Sequence, residues 1–335
     1  MTKGEILARV YRGTTVESVH CGSVVIVDSK GDLLYKAGNP YFFTYLRSSA
    51  KPFQILPLIE SGAAQEFGFT TKELAIMAGS HNGEPQHVKV VQGILKKIGL
   101  SAKYLKCGTQ PPLYYTVRGI LPRREERFSV LQHNCSGKHS GMLANCVYQG
   151  WDTKDYLNPK HPLHRKILQI ISDLCEYPAR KIKIGIDGCS APNFALPVKN
   201  MALGFAKLAA AESNSNGLVQ ILKAMRQYPE MVSGKGRLDF ALSQINSGKI
   251  VAKAGAEALE CLGVIGPDLG LAVRIYDGNN RAVGCVVTEA LRQLGLVKNS
   301  DRKKLGNFVR PRIKNFANKV VGYIEPSFRL KKVGK

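Results

Sequence analysis

The sequence predicts an α+β fold in which an antiparallel sheet, built from both chain ends, packs with a helical lobe inserted in the middle. Three observations predict it. β-Branched and apolar runs cluster near the N-terminus, as in Ser23-Val24-Val25-Ile26-Val27, and return at 249–253 and 271–276. Segments with apolar residues at helical spacing fill most of the interval between them. The strand signals do not alternate with helices one for one, which argues against a doubly wound parallel sheet.

Residues 17–37 read as a β-hairpin, because Asp28-Ser29-Lys30-Gly31-Asp32 is turn chemistry between the run 23–27 and Leu33-Leu34-Tyr35. From Ser48 to Glu60, Phe53, Leu56 and Ile59 recur at helical spacing, Pro52 fits a first turn and Gly62 is a stop; Ser48 therefore sits near a helix start. Thr70-Thr71-Lys72-Glu73 offers a capping box ahead of residues 74–78. Helices are predicted over 86–98, 138–148, 161–175, 201–211 and 217–226, with strand-like runs at 181–186, 249–253 and 271–276. No linker cuts the chain. It is expected to be one two-lobed domain, with a sheet lobe at about 1–47 and 230–299, a helical lobe at about 48–229 and a basic C-terminal extension at about 300–335.

Composition excludes several classes. With 335 residues, 44% hydrophobic, 33 Gly and 16 Pro, the chain is neither a disordered tail nor a collagen-like fibre. The longest apolar stretch, 263–273, is broken by Pro267 and Asp268, too short to span a bilayer. Lys3, Glu5, Arg9 and Arg12 leave no apolar signal region, so a cytoplasmic location is expected, with the eight cysteines as thiols. The formal charge of +23 raises nucleic acid as a partner. From Ser300 onward eleven basic residues stand against two acids, a net +9, yet no zinc-finger spacing or aromatic ribonucleoprotein motif accompanies them. The charge is therefore read as a solvated basic face and tail, with nucleic-acid binding a minority reading.

Two constellations can do chemistry. Ser48-Ser49-Ala50-Lys51 is an S-x-x-K, whose spacing on a helix places the amine on the face of the hydroxyl it would deprotonate. Ser300-Asp301-Arg302-Lys303 matches too, and the ordinary reading of Ser48 is a helix cap. Order adds weight: Ser80-His81-Asn82 is the only S-x-N, and Lys253-Ala254-Gly255 is a K-x-G ending a strand-like run. That is the order in serine β-lactamases and penicillin-binding proteins, although Lys183 also begins a K-x-G and order alone does not choose between them. The second constellation is Cys135-Ser136-Gly137-Lys138-His139 with Asp187-Gly188-Cys189. Two thiolates and a nitrogen suit zinc, but C-x-x-C pairs are missing, and spacing alone argues against a metal.

Five segments taken together resemble the rhizobial-type, or class 3, L-asparaginases: Arg47 to Pro52, Met77 to Glu84, Cys107 to Pro112, His133 to Met142 and Gly185 to Pro192. The resemblance runs from about Val16 to Leu291. It implies a fold similar to serine β-lactamases and glutaminases, and hydrolysis of L-asparagine to L-aspartate and ammonia by paired Ser-Lys tandems. Ser48 with Lys51 matches the first tandem and Ser80 with Lys253 the second. It also implies zinc held by Cys135, Lys138 and Cys189, against what spacing alone suggests, and a homodimer. Arg47, Asn82, His139 and Asp187 are the polar groups it offers for gripping the substrate. A glutaminase of the same fold is the competing expectation, since the pocket would differ by one methylene. A penicillin-interacting acyl enzyme would normally require export.

Overall fold

The computed structural model describes residues 4–213 and 217–333. Its strands are β1 (Glu5–Arg12), β2 (Thr15–Asp28), β3 (Leu33–Ala37), β4 (Phe43–Tyr45), β5 (Lys183–Ile186), β6 (Pro192–Pro197), β7 (Ile250–Gly255), β8 (Leu259–Val264), β9 (Leu269–Ile275), β10 (Arg312–Lys314), β11 (Val320–Pro326) and β12 (Lys331–Lys332). The chain forms two compact units. One comprises Met1–Ser49, Leu196–Ala210 and Ala241–Lys335, the other Ala50–Ala195 and Ala211–Phe240.

The first unit is an antiparallel sheet in the order β10-β11-β1-β2-β9-β8-β7, with β3 pairing β2 and β12. Its spine is β2, whose run Val24–Val27 is fully buried and pairs β9 from Gly22↔Ile275 to Asp28↔Leu269. The expected hairpin is β2–β3. The Asp28 carboxylate accepts the backbone N–H of Lys30 (3.0 Å) and Asp32 (2.9 Å), and Gly31 takes φ 88°, so this turn needs both an Asx residue and a glycine. Helix Val198–Ala209 packs on the sheet where Gly263 and Gly270, cross-strand partners, present no side chain. A Cβ on Gly263 would lie 2.5 Å from the Phe205 carbonyl, and one on Gly270 would overlap that of Ala202. Helix Val283–Gln293 packs against β1, β8, β9 and β11.

This unit differs from the expectation in three ways. The basic segment after residue 300 is no appendage: β11 pairs β1 from Ala8↔Pro326 to Arg12↔Gly322, and β12 pairs β3. Helix Val198–Ala209 belongs with the sheet, and the later boundary falls at residue 240 rather than 229. Strands β1, β8 and β10 to β12 gave no strand signal that was read from sequence. In β1, charged residues interrupt the buried Leu7, Ala8 and Val10, while the stretch 263–273 turns from β8 into β9 at Gly266 (φ 102°) and Asp268 (φ 50°).

The second unit is mainly helical: Lys51–Gln54, Leu56–Glu60, Thr71–Met77, Pro85–Lys97, Ser136–Gln149, Pro162–Cys175 and Gly217–Gln227, with a β5–β6 hairpin. The helix expected from Ser48 is a 3-10 turn, Arg47–Ala50, followed by two short helices that break at Ile55 before Pro57, which has no N–H to continue the ladder. The Thr70 capping box forms as expected, with Glu73 N–H donating to Thr70 Oγ1 at 3.3 Å and Thr70 N–H to Glu73 Oε2 at 2.7 Å. Among the described residues no helix is long and apolar enough to cross a membrane.

Candidate active site

In the first unit the 3-10 turn Arg47–Ala50 presents Arg47 and Ser48, both half-buried. Ser49, one residue on, is fully buried, and its hydroxyl donates to the Lys253 carbonyl at 2.7 Å. That bond ties the turn to the end of β7. Gly255 makes the approach possible, because a Cβ there would lie 2.9 Å from the Leu46 carbonyl and 3.1 Å from Ser49 Oγ. This gives the K-x-G a physical meaning: the glycine admits the serine turn beside the strand. Lys253 is fully buried and its Nζ donates to the Ala254 carbonyl at 2.8 Å.

In the second unit Lys51 and Ser80 are brought together. The Lys51 amine, 1% exposed, donates to Ser80 Oγ at 2.7 Å and to the Asn134 carbonyl at 3.2 Å. Burial pushes the Lys51 amine below its ordinary value; the nearby Cys135 opposes this and Lys138 adds to it. Ser80 is fixed by its backbone, whose N–H donates to the Val232 carbonyl at 2.6 Å and whose carbonyl accepts from Arg237 at 3.3 Å. Gly79 before it has no room for a side chain, since a Cβ would lie 2.6 Å from the Met231 carbonyl. The family resemblance groups Ser80 with Lys253; within the second unit Ser80 bonds Lys51. Asn82 packs against Gly234 and donates to the Lys235 carbonyl at 3.3 Å, leaving its buried Oδ1 without a hydrogen bond.

The cysteine cluster lies wholly in the second unit. Cys135 precedes helix Ser136–Gln149 and Lys138 occupies its first turn. Gly137 and Gly141, one turn apart, let this helix touch Thr71–Met77; a Cβ on Gly137 would overlap the Ile76 carbonyl. Cys189 comes from the turn between β5 and β6, where Ser190 N–H donates to the Asp187 carbonyl at 2.8 Å and Ser190 takes φ 65°. Lys138 donates to Cys189 Sγ at 3.2 Å. The Cys135 thiol donates to Asn134 Oδ1 at 3.7 Å, and its interaction with Cys189 raises the Cys135 thiol and lowers that of Cys189, with Lys138 adding to the lowering. For Lys138, burial lowers the amine, but the charges of Cys189 and Cys135 outweigh it and the net shift is upward. Asp187 lies within electrostatic reach of Lys138. His139 is fully buried; Nδ1 meets Tyr156 OH at 2.7 Å and the buried Nε2 has no hydrogen bond. Burial pushes this imidazole down to about 4, so it is neutral near pH 7.

Two thiols and an amine in contact form a soft, nitrogen-containing donor set that fits zinc. Among the described residues no three His, Cys, Asp or Glu side chains group as a metal site. The third donor here is a lysine, a residue type that spacing rules do not count.

Several site residues escaped the sequence reading. Tyr156, fully buried, orients His139; Arg237 holds Ser80; Ser49 anchors Lys253. Arg274 on β9 has a buried Nε with no hydrogen-bond partner, and Arg47, Glu257 and Asp277 lie within electrostatic reach of it. Tyr156, Arg237 and Arg274 sit in no recognisable motif, and Ser49 is the unassigned second position of the S-x-x-K; only long-range contact reveals them.

Known proteins can be set beside this geometry. No curated protein matches the chain. Among solved structures, Mglu in its native form is similar at 13% identity and TM-score 0.43, covering 89% of this chain and 70% of that one. A beta-lactamase from Mycobacterium bovis is similar at 12% identity and TM-score 0.36, covering 82% and 95%. The sequence pattern described as L-asparaginase II matches residues 8–326, which takes in every residue of both constellations and the strands from within β1 to the end of β11, and the chain belongs to that family of amide hydrolases.

Proposed function

We propose that the protein hydrolyses L-asparagine to L-aspartate and ammonia with Ser48 as nucleophile. The observation that carries this reading is the buried Lys51 amine on Ser80 Oγ at 2.7 Å, in a chain whose S-x-x-K begins at Ser48. Lys51 in its neutral form takes the Ser48 hydroxyl proton as Oγ bonds to the side-chain amide carbon. The proton passes from Lys51 through Ser80 Oγ to the departing nitrogen, the C–N bond breaks, and ammonia leaves. Water, deprotonated by the same relay, cleaves the resulting ester and restores Ser48. Lys253 serves as the second lysine, holding the Ser49 turn through its carbonyl.

Cys135, Lys138 and Cys189 would hold zinc. When bound, the ion supplies a fixed positive charge that binds the carboxylate end of the substrate and shapes the pocket. Loading it requires Cys135 and Lys138 to give up their protons, so binding competes with the Lys138–Cys189 ion pair. Cys189→Ser is expected to lower zinc content from about one ion per chain to near zero, measured by mass-spectrometric metal analysis of the folded protein. Full zinc content in that variant would remove Cys189 from the donor set.

Asp187, His139, Asn82 and Arg47 stand as substrate-gripping groups, and we add Arg274. A buried guanidinium nitrogen without a partner suits a carboxylate. Arg274→Ala is expected to raise KM for L-asparagine roughly tenfold or more, the loss of a charge-assisted hydrogen bond, with a smaller change in kcat. Arg274→Lys should restore part of the loss. A fall in kcat at unchanged KM would contradict this role. The assay for the activity itself is ammonia release from L-asparagine and, separately, L-glutamine.

A further inference from the structure

The basic C-terminal segment, read from sequence as a solvated tail, becomes a shaped surface once folded. A groove in the first unit is lined by Arg302, Arg310, Arg312, Asn307, Val320 and Tyr323, with no acidic residue in its lining. Arg312 and Tyr323 are cross-strand partners, as are Tyr11 and Tyr323, so all three stand on one face of the sheet. The Tyr11 and Tyr323 rings stack at 5.0 Å, and the Arg310 guanidinium lies 3.7 Å from the Tyr323 ring centre, flattened against it. Glu325 pairs with Arg310 at 3.2 Å, and Glu289 lies within electrostatic reach of Arg302. Arg312 has no carboxylate partner among the described residues. The groove leads to the β10–β11 turn, where Lys314 and Lys319 are exposed and Phe316 projects fully into solvent.

We infer that this groove and the β10–β11 turn bind single-stranded nucleic acid. The arginine forks match phosphate oxygens, and their planar groups, with one pre-stacked on tyrosine, are ordered before a ligand arrives. Phe316 supplies a free aromatic face for an unpaired base, a pairing that tolerates sequence. A duplex would keep its bases stacked away from that ring. A membrane surface would be expected to meet several exposed aromatics on a flat patch rather than one at the end of a groove. The surface uses none of the residues assigned to amide hydrolysis.

The test is fluorescence anisotropy of a fluorescein-labelled 20-nucleotide single-stranded DNA of mixed sequence with the full chain, from 50 to 300 mM NaCl. Saturable binding is expected, with affinity falling steeply with salt. Arg302→Gln with Arg312→Gln should weaken binding about tenfold or more and reduce the log–log salt slope by about 1.4, at roughly 0.7 per lost phosphate contact. Phe316→Ala should weaken it without changing the slope. Lys89→Gln with Lys96→Gln, exposed cations of the other unit, is the matched charge control and should leave binding unchanged; each pair is judged at wild-type melting temperature. If the double arginine variant fails to fold, Arg302→Gln alone, at an exposed helical position, should reduce the slope by about 0.7. Absence of saturable binding at 100 mM NaCl, equal losses in the two charge pairs, or tighter capture by phosphatidylserine vesicles through the same arginines would overturn the proposal.

Discussion

Ser48→Ala is expected to lower kcat for L-asparagine by at least about a thousandfold, because removing the nucleophile leaves only binding and electrostatic contributions to rate. KM should change little, since the serine hydroxyl contributes to the transition state far more than to the ground state. The fold should persist. Ser48 is half-buried on a 3-10 turn that Ser49 anchors to the Lys253 carbonyl, so losing its hydroxyl disturbs no buried hydrogen bond that holds the turn. A circular-dichroism melt at the wild-type temperature, beside a kinetic assay of ammonia release, separates the two effects. Turnover within tenfold of wild type would remove Ser48 from the chemistry.

Lys51→Met is the second large effect, with kcat expected to fall by about 10²–10⁴, the range for a lost general base. Relief of the buried amine is offset by leaving Ser80 Oγ and the Asn134 carbonyl without a donor, a cost of about 1–3 kcal/mol each, so stability should not rise. The pH dependence follows from the direction of the Lys51 shift. Burial pushes its amine down from the ordinary lysine value of 10.5. Only the neutral amine accepts a proton, so kcat/KM rises with pH and levels off above a midpoint below that value. Lys51→Arg should be inactive across the whole range, since a guanidinium stays protonated. An unchanged acid limb in Lys51→Met would assign the titration to another group.

Much of this fold was legible because local chemistry and tertiary packing agree. Thr70 and Glu73 form the capping box that their spacing advertises, and Asp28 with Gly31 builds the turn expected of them. Strands β1 and β10 to β12 were not legible. Charged residues break the apolar alternation of β1, while β10 and β12 are only three and two residues long, so pairing defines them: β1 with β2 and β11, β10 with β11, and β12 with β3. The candidate site was legible as a set of motifs and not as a set of contacts. S-x-x-K draws the eye to a pair three residues apart, whereas the observed bond joins Lys51 to Ser80, twenty-nine residues away. The cysteine cluster was legible as two separate segments, and spacing alone argued against a metal there, whereas the fold joins Cys189, on a distant hairpin turn, to Lys138 beside Cys135. Arg274 carries no local signal at all; its meaning lies in a nitrogen left without a partner.

The proposed chemistry stands or falls on a covalent ester between Ser48 and the substrate's side-chain acyl group. Rapid-quench intact-mass spectrometry of the zinc-supplemented protein mixed with L-asparagine detects that ester, and peptide mapping locates any adduct. An aspartyl adduct is expected within the first turnover, on the peptide holding Ser48, and absent from Ser48→Ala. Ammonia release without any adduct, or an adduct on Ser80 in place of Ser48, would contradict it.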